Sequence, residues 1–403
     1  MKTTTMTLLA IVAALSLTAQ ALASDGKTIQ VKCNNSPIAV KLGMPRDPLN
    51  RALRRARPGD TLLISGTCEE SVTITQGPLT LKGDVNGAIS GTRFEPEASE
   101  FNGLITVDGA RGVVISGLTV HDSPAEGVLA INGATVTIRD SVIADNQTGV
   151  RLSQSSMNMA DSELRDHTGH GIMAITGSTL VFRGTVDIHG NLGAGLFLEG
   201  NSMAELRGAQ VHTDHNALGV IIALHSTLAV LELDSSVGST LTARHNAAIG
   251  IQLGQGVLMV SGEGRPVAST LIDSSNNGGP GLLALAGSQV LSPFGAARFV
   301  MNGNPVGMIL MSGASTEIRG GLEIQDNFGP GLVAHGSGVV MLRSVPDPDH
   351  PVPADEPSPS SIKNNGGPAV VADFGSRLDI RDVELVGPVI CDPTVISASP
   401  VCM

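Results

Sequence analysis

The chain has 403 residues, a formal net charge of −12, no Trp, no Tyr and eight Phe. The acidic balance opposes nonspecific association with nucleic acid or anionic lipid, and the aromatic deficit leaves only Phe to stack against sugar rings. No stretch after residue 23 is an uninterrupted apolar run of about 18 residues, so no transmembrane segment is expected beyond the amino-terminal leader.

Residues 1–23 have the plan of a secretory signal peptide. Lys2 supplies the positive start, Leu8 to Leu17 the apolar core, and Ala21-Leu22-Ala23 the small-x-small cleavage site. A secreted or periplasmic protein is expected. Residues 24–61 are expected to form an N-terminal cap: a strand at Thr28 to Val31, then a helix entered at Asp47-Pro48. Leu49, Ala52, Leu53 and Ala56 line one helical face, with Arg51, Arg54, Arg55 and Arg57 on a solvated opposite face, and Pro58-Gly59 ends the element.

From residue 62 to 390 one phrase recurs: a turn rich in Asn, Asp or Gly, a small residue, then apolar residues at period two. The small residues are Gly127, Gly149, Gly171, Gly195, Gly219, Gly250, Gly281, Gly307, Gly331 and Ala369, spaced by 22, 22, 24, 24, 31, 31, 26, 24 and 38 residues. Such a period without helical patterning predicts a stacked β-solenoid of about 11 to 12 coils, roughly 50 to 60 Å long at the ~4.8 Å strand spacing. Each coil carries up to three strands with alternate residues inward, among them Leu196 and Leu198, Leu180 and Phe182, and Val186 and Ile188. The segment Val345 to Ser361, rich in Pro, Asp and Glu, reads as an extended acidic loop.

The first coil has a recognisable wording: Gly59-Asp60-Thr61, alternating apolar residues, Gly66-Thr67-Cys68, Glu70-Ser71-Val72-Thr73-Ile74 and Leu79-Thr80-Leu81-Lys82-Gly83. It resembles the opening of right-handed parallel β-helix proteins of the pectate-lyase-like superfamily, with Cys68 where a Tyr is common. The resemblance implies an all-β, right-handed parallel β-helix over most of the chain and leaves activity open. Gly169-His170-Gly171 is similar to an element of polygalacturonases, but their Asn-Thr-Asp, adjacent-aspartate and Arg-Ile-Lys motifs do not occur, so no role is carried to His170.

Four cysteines form two sequence-local pairs. In an oxidising compartment Cys33–Cys68 and Cys391–Cys402 are the economical pairing of three, tying down the two ends, with residues 391–403 as a disulfide-closed C-terminal cap. Seven of the ten histidines lie between His167 and His245. Counting back four residues from the coil-start glycines aligns Asp145, His167, Asn191 and His215, and Asp145, His167 and His215 are the candidate ligands for a divalent metal. Asn146, Asn216, Asn246, Asn277 and Asn327 mark a neighbouring ladder of backbone-bonding turn residues. A cationic column, Arg139, Arg183, Arg207, Arg319, Arg343 and Arg381, stands twelve residues after each coil's small residue. It offers guanidinium groups to an acidic glycan, or to carboxylates of neighbouring coils.

No catalytic residue is identified. Three roles stay open: a binding or structural protein directed to extracellular acidic glycans, a polysaccharide-active enzyme (lyase, esterase or hydrolase), and a periplasmic metal-handling protein.

Overall fold

A computed structural model describes residues 26–33, 47–84, 86–92, 102–231, 238–261, 270–343 and 360–402. The stretch expected to be a signal peptide and nearly all of the expected acidic loop fall outside these residues. The described chain is a right-handed β-helix whose paired strands are parallel, as in Leu196↔Val220, Val220↔Ile251 and Ile251↔Leu282.

The strand that opens each coil belongs to a leading sheet of thirteen strands, from Val72–Ile74 to Val389–Cys391. Ten of the thirteen carry the repeated phrase; Val72–Ile74, Gly103–Asp108 and Val389–Cys391 form rungs without it and take the stack past the expected 11 to 12. Two further faces follow in each coil. A middle stack holds strands such as Thr135–Arg139 and Met203–Arg207, and a trailing stack holds Val142–Ala144 and Gln210–His212. Long strands such as Thr179–His189 run through both. The inward residues expected from the alternation, Phe182, Val186, Ile188 and Leu198 among them, are fully buried.

The corner between trailing stack and leading sheet is built from two columns. The outer column adopts left-handed backbone at Asp122, Asp145, Asp166, Gly190, His215, His245, Asn276, Gly303, Asp326 and Asn364. This conformation costs least for Gly and for short polar residues. From Asn146 to Asn365 the next residue turns inward and accepts a backbone N–H from the rung before it. Thus Asn191 N–H donates to Asn216 Oδ1 (3.1 Å), Asn216 to Asn246 (2.8 Å), Asn246 to Asn277 (3.0 Å) and Asn277 to Asn304 (2.9 Å). The ladder satisfies corner amides that turn away from the sheets, where an unpaired buried group would cost about 1–3 kcal/mol.

The ladder also explains the coil-start glycines. A Cβ on Gly127, Gly195 or Gly219 would sit 2.8 Å from the side-chain amide nitrogen of Asn146, Asn216 or Asn246 in the next rung. The glycine is required by close approach. Among the described residues no ladder side chain follows Asn365, and the coil entered there correspondingly accommodates Ala369.

The expected helical cap is not seen as such. The helix, α1, is six residues, Pro48–Leu53, with Leu49 and Ala52 buried. The amino-terminal edge is stacked instead by strand Thr28–Lys32, which pairs with Thr61–Ser65. Arg57-Pro58-Gly59 returns the chain to the first rung too soon for a longer helix. Both expected disulfides are present, Cys33–Cys68 and Cys391–Cys402.

Gly219→Ala should lower stability by about 1–3 kcal/mol, because the methyl would overpack against Asn246 and Ala243. Ala369→Gly should change it much less. Equal denaturation midpoints for Gly219→Ala and the parent would show that the corner does not demand glycine.

Candidate functional site

Strand pairing separates the four residues aligned by counting. Asp145 and His215 lie in the exposed left-handed column, three rungs apart through Asp166 and Gly190. His167 and Asn191 lie in the buried ladder, where His167 replaces an asparagine. Asp145, His167 and His215 therefore do not assemble into a metal site. Among the described residues, Cys33, Cys68 and Glu70 are the group of three potential ligand residues whose ligand atoms come within 4.8 Å of one another, and its two sulfurs share a disulfide.

His167 is a structural histidine. Its Nδ1 accepts the Asn146 N–H at 3.1 Å, a role open only to the neutral ring, and its Nε2 is buried without a hydrogen-bond partner. Burial pushes its pKa down to about 4. His170 is also held by the framework, accepting the Ala194 N–H at 2.9 Å and stacking on Phe197 with ring centroids 5.0 Å apart. Burial lowers its pKa as well.

The arginine column is broken and largely neutralised. Ala160 separates Arg139 from Arg183, and Leu231 and Ser261 follow Arg207. Arg319, Arg343 and Arg381 stack on successive rungs, but carboxylates on the same outer face pair with them. Arg319 lies 2.9 Å from Glu317, while Arg343 and Arg381 share Asp379 at 2.9 and 2.7 Å. Burial alone would raise the Asp379 pKa, yet the two guanidinium groups hold it below the usual value. Arg207 pairs with Glu205. Only Arg139 and Arg183 of this column stand exposed with no ion pair among the described residues.

Polar chemistry concentrates on the outer face of the trailing stack. Glu163, Asp187, His212, Thr242 and Asp273 occupy one column on successive rungs. Arg165 and His189 begin a second column two residues along, which Asp214 and Arg244 continue. Between rungs lies an open groove of about 510 Å³, lined by Glu163, Asp187, His189, His212, Asp214 and Arg244, with Ile188 and His215.

A hydrogen-bonded chain crosses its floor. The Thr242 hydroxyl donates to Asp214 Oδ1 at 3.0 Å and lies 2.9 Å from His212 Nδ1. Its single proton being committed to Asp214, Thr242 accepts from His212, which places the His212 proton on Nδ1 and leaves Nε2 as a lone-pair acceptor in the neutral ring. Asp214 also accepts the Arg244 backbone N–H at 2.8 Å and faces its guanidinium at 3.3 Å. On the other side, His189 Nε2 is 3.1 Å from Glu163, which Arg165 also contacts at 3.1 Å. His215 stacks on His245 at the rim, with centroids 5.1 Å apart.

The sequence reading singled out this histidine-rich region but not Thr242, Asp214 or Arg244. The signal that finds them is the buried asparagine: the positions two and four residues before each ladder residue fall on this face, with the one between them turned inward.

A family model described as right handed beta helix region matches residues 98–292. No curated protein matches. Among solved structures, the A-module of mannuronan C-5 epimerase AlgE6 from Azotobacter vinelandii is 15% identical, over 97% of this chain and 94% of that one, with a TM-score of 0.42. The periplasmic alginate epimerase AlgG is 11% identical over 84% and 77%, with a TM-score of 0.40. An alginate lyase from Paenibacillus sp. is 14% identical over 77% and 99%, with a TM-score of 0.34. These likenesses concern the fold.

The His167 pKa carries a pH signature. Between about pH 4 and 6.5 the unfolded chain binds a proton at His167 that the folded protein refuses, so this contribution is complete above about 6.5 and is lost as pH falls toward 4. The full swing is on the order of 3 kcal/mol. His167→Asn should continue the ladder and gain on the parent at pH 5 relative to pH 7.5 in melting experiments. An unchanged difference between the two proteins across that range would contradict the assignment.

Proposed function

We propose that this β-helix protein acts on a polysaccharide lying in the trailing-face groove, with His212 as general base. One observation carries the reading: the Asp214–Thr242–His212 chain, which orients an imidazole at an open, carboxylate-rich groove. A base needs a fixed tautomer and a free lone pair, and a buried hydroxyl anchored by a carboxylate supplies both. Thr242 is buried, so the relay is held by the rung stacking itself.

His212 Nε2 would remove a proton from a sugar carbon or an attacking hydroxyl. His189, held by Glu163 one rung away, would return a proton to the leaving or inverted centre, and Asp187 shares the His189 rung and stands opposite His212. Arg244, whose guanidinium faces Asp214 at 3.3 Å and Asp273 at 3.8 Å, would turn its remaining N–H donors to a uronate carboxylate or a developing oxyanion. A polymer laid along the solenoid axis meets equivalent positions every ~4.8 Å, which suits a chain substrate better than a small molecule. The two disulfides and the polysaccharide role together favour a location outside the cytoplasm.

A second reading is binding without turnover. It rests on Arg139 and Arg183, exposed two rungs apart on the middle face, as a contact for an acidic glycan. Arg207, Arg319 and Arg343 serve that reading poorly, since their carboxylate partners already offset their charge.

The test is a screen of uronate polymers and neutral glucans for chain cleavage, unsaturated ends and epimerisation. His212→Ala should reduce kcat by about 10²–10⁴-fold. Thr242→Val should give a smaller loss with an altered pH profile. Full activity in His212→Ala, or binding without turnover that Arg183→Ala abolishes and His212→Ala leaves intact, would replace the enzymatic reading with the second.

A further inference from the structure

The leading sheet turns an apolar face outward. Its outer column reads Met173, Phe197, Ile221, Gln252, Leu283, Ile309 and Val333 on seven successive rungs. None of these is fully buried, and none is charged. The next outward column reads Ile175, Glu199, Ala223, Gly254, Leu285, Met311 and His335, so its polar members are Glu199 and His335 toward its two ends. The middle and trailing faces instead carry Arg, Asp, Glu and His, most of them paired. With Glu199 as the one carboxylate in its two columns, the leading face of a chain with net charge −12 is mostly apolar.

The order of residues is symmetric about one position. Gln252 is central, with Ile221 and Leu283 one rung away, Phe197 and Ile309 two rungs away, and Met173 and Val333 three rungs away. Beyond them stand Arg151, paired with Glu126 at 3.1 Å, and Val371. A two-fold axis along the strand direction over the Gln252 rung would reverse the rung order while keeping each column over its copy. Ile221 would then cover the partner's Leu283, and Phe197 the partner's Ile309. The two Gln252 side chains would meet, each offering both a donor and an acceptor, so that the one polar group of that column is satisfied by itself.

We infer that this face is the interface of a homodimer in which two solenoids pack antiparallel across the leading sheets, with Gln252 on the axis. The dimensions suffice. Nine rungs from Arg151 to Val371 at ~4.8 Å, by a strand width of roughly 15 Å, give about 600 Å² per copy, the lower edge of the range for specific dimers. Sheets packed face to face in this way bury alternating outward residues as a second core. Both trailing-face grooves stay on surfaces away from the contact, so the dimer and the groove can fail independently.

Site-directed crosslinking tests the arrangement. All four native cysteines are in disulfides, so a single introduced cysteine is a unique thiol. With a short bis-maleimide, Gln252→Cys should give a covalent dimer in high yield. Ile309→Cys should not link to itself, whereas a mixture of Phe197→Cys and Ile309→Cys should link to each other. Light scattering should give twice the chain mass for the native protein at micromolar concentration, and the chain mass for Ile309→Glu with an unchanged β-type circular dichroism spectrum. A monomeric native protein would overturn the inference. So would a dimer that survives Ile309→Glu, or self-linking stronger at Ile309→Cys than at Gln252→Cys.

Discussion

The stacked corner between the trailing stack and the leading sheet is the contact on which the rest of the molecule depends. At each turn the backbone passes through a left-handed residue and buries the next side chain, which accepts an amide from the rung before. The donors lie where no sheet partner can reach them, and without an acceptor each would be orphaned. Because every rung carries the same device, corners superpose and residues before them fall into columns. The coil-start glycine is the steric complement of this device. Its missing Cβ is the space filled by the next rung's amide.

Function inherits its geometry from that superposition. His212 and Asp214 share one rung and Thr242 comes from the next, yet they meet within hydrogen-bond distance because the ladder sets the rung heights. The same regularity shows why a column of like charges is not automatically a binding surface. Stacked guanidinium groups at ~5 Å repel one another, and the chain offsets this with Glu317 and Asp379 on the same face. Arg139 and Arg183, separated by Ala160, need no such compensation and remain available.

Much of this was readable before any coordinates. The recurring glycine marks the rungs because it is sterically required, and the period-two alternation names the core because a parallel stack buries every inward side chain. The local cysteine pairs bond as expected. The site was harder to read, for a geometric reason. Four residues separate His167 from Gly171 and Asn191 from Gly195, but three separate Asn146 from Gly149 and Asn216 from Gly219. Counting a fixed distance back from glycine therefore crosses from the buried ladder to the exposed column, mixing Asp145 and His215 with His167. Counting from the ladder asparagines keeps the columns apart. Thr242 and Arg244 escaped notice because single polar residues on an outer face follow no period. The helical cap was overread, since apolar spacing from Leu49 to Ala56 continues past the point where the backbone leaves the helix.

The central claim is that His212 is held as the Nδ1–H tautomer and faces substrate in the groove. The direct measurement is ¹⁵N-edited NMR of the histidine side chains near neutral pH, with and without an oligosaccharide of the polymer identified by screening. The account predicts a neutral His212 protonated on Nδ1, an opposite tautomer for His167, and ligand-induced shifts at His189 and His212 with none at His167. A His212 protonated on Nε2, or ligand shifts confined to residues outside the groove, would contradict it.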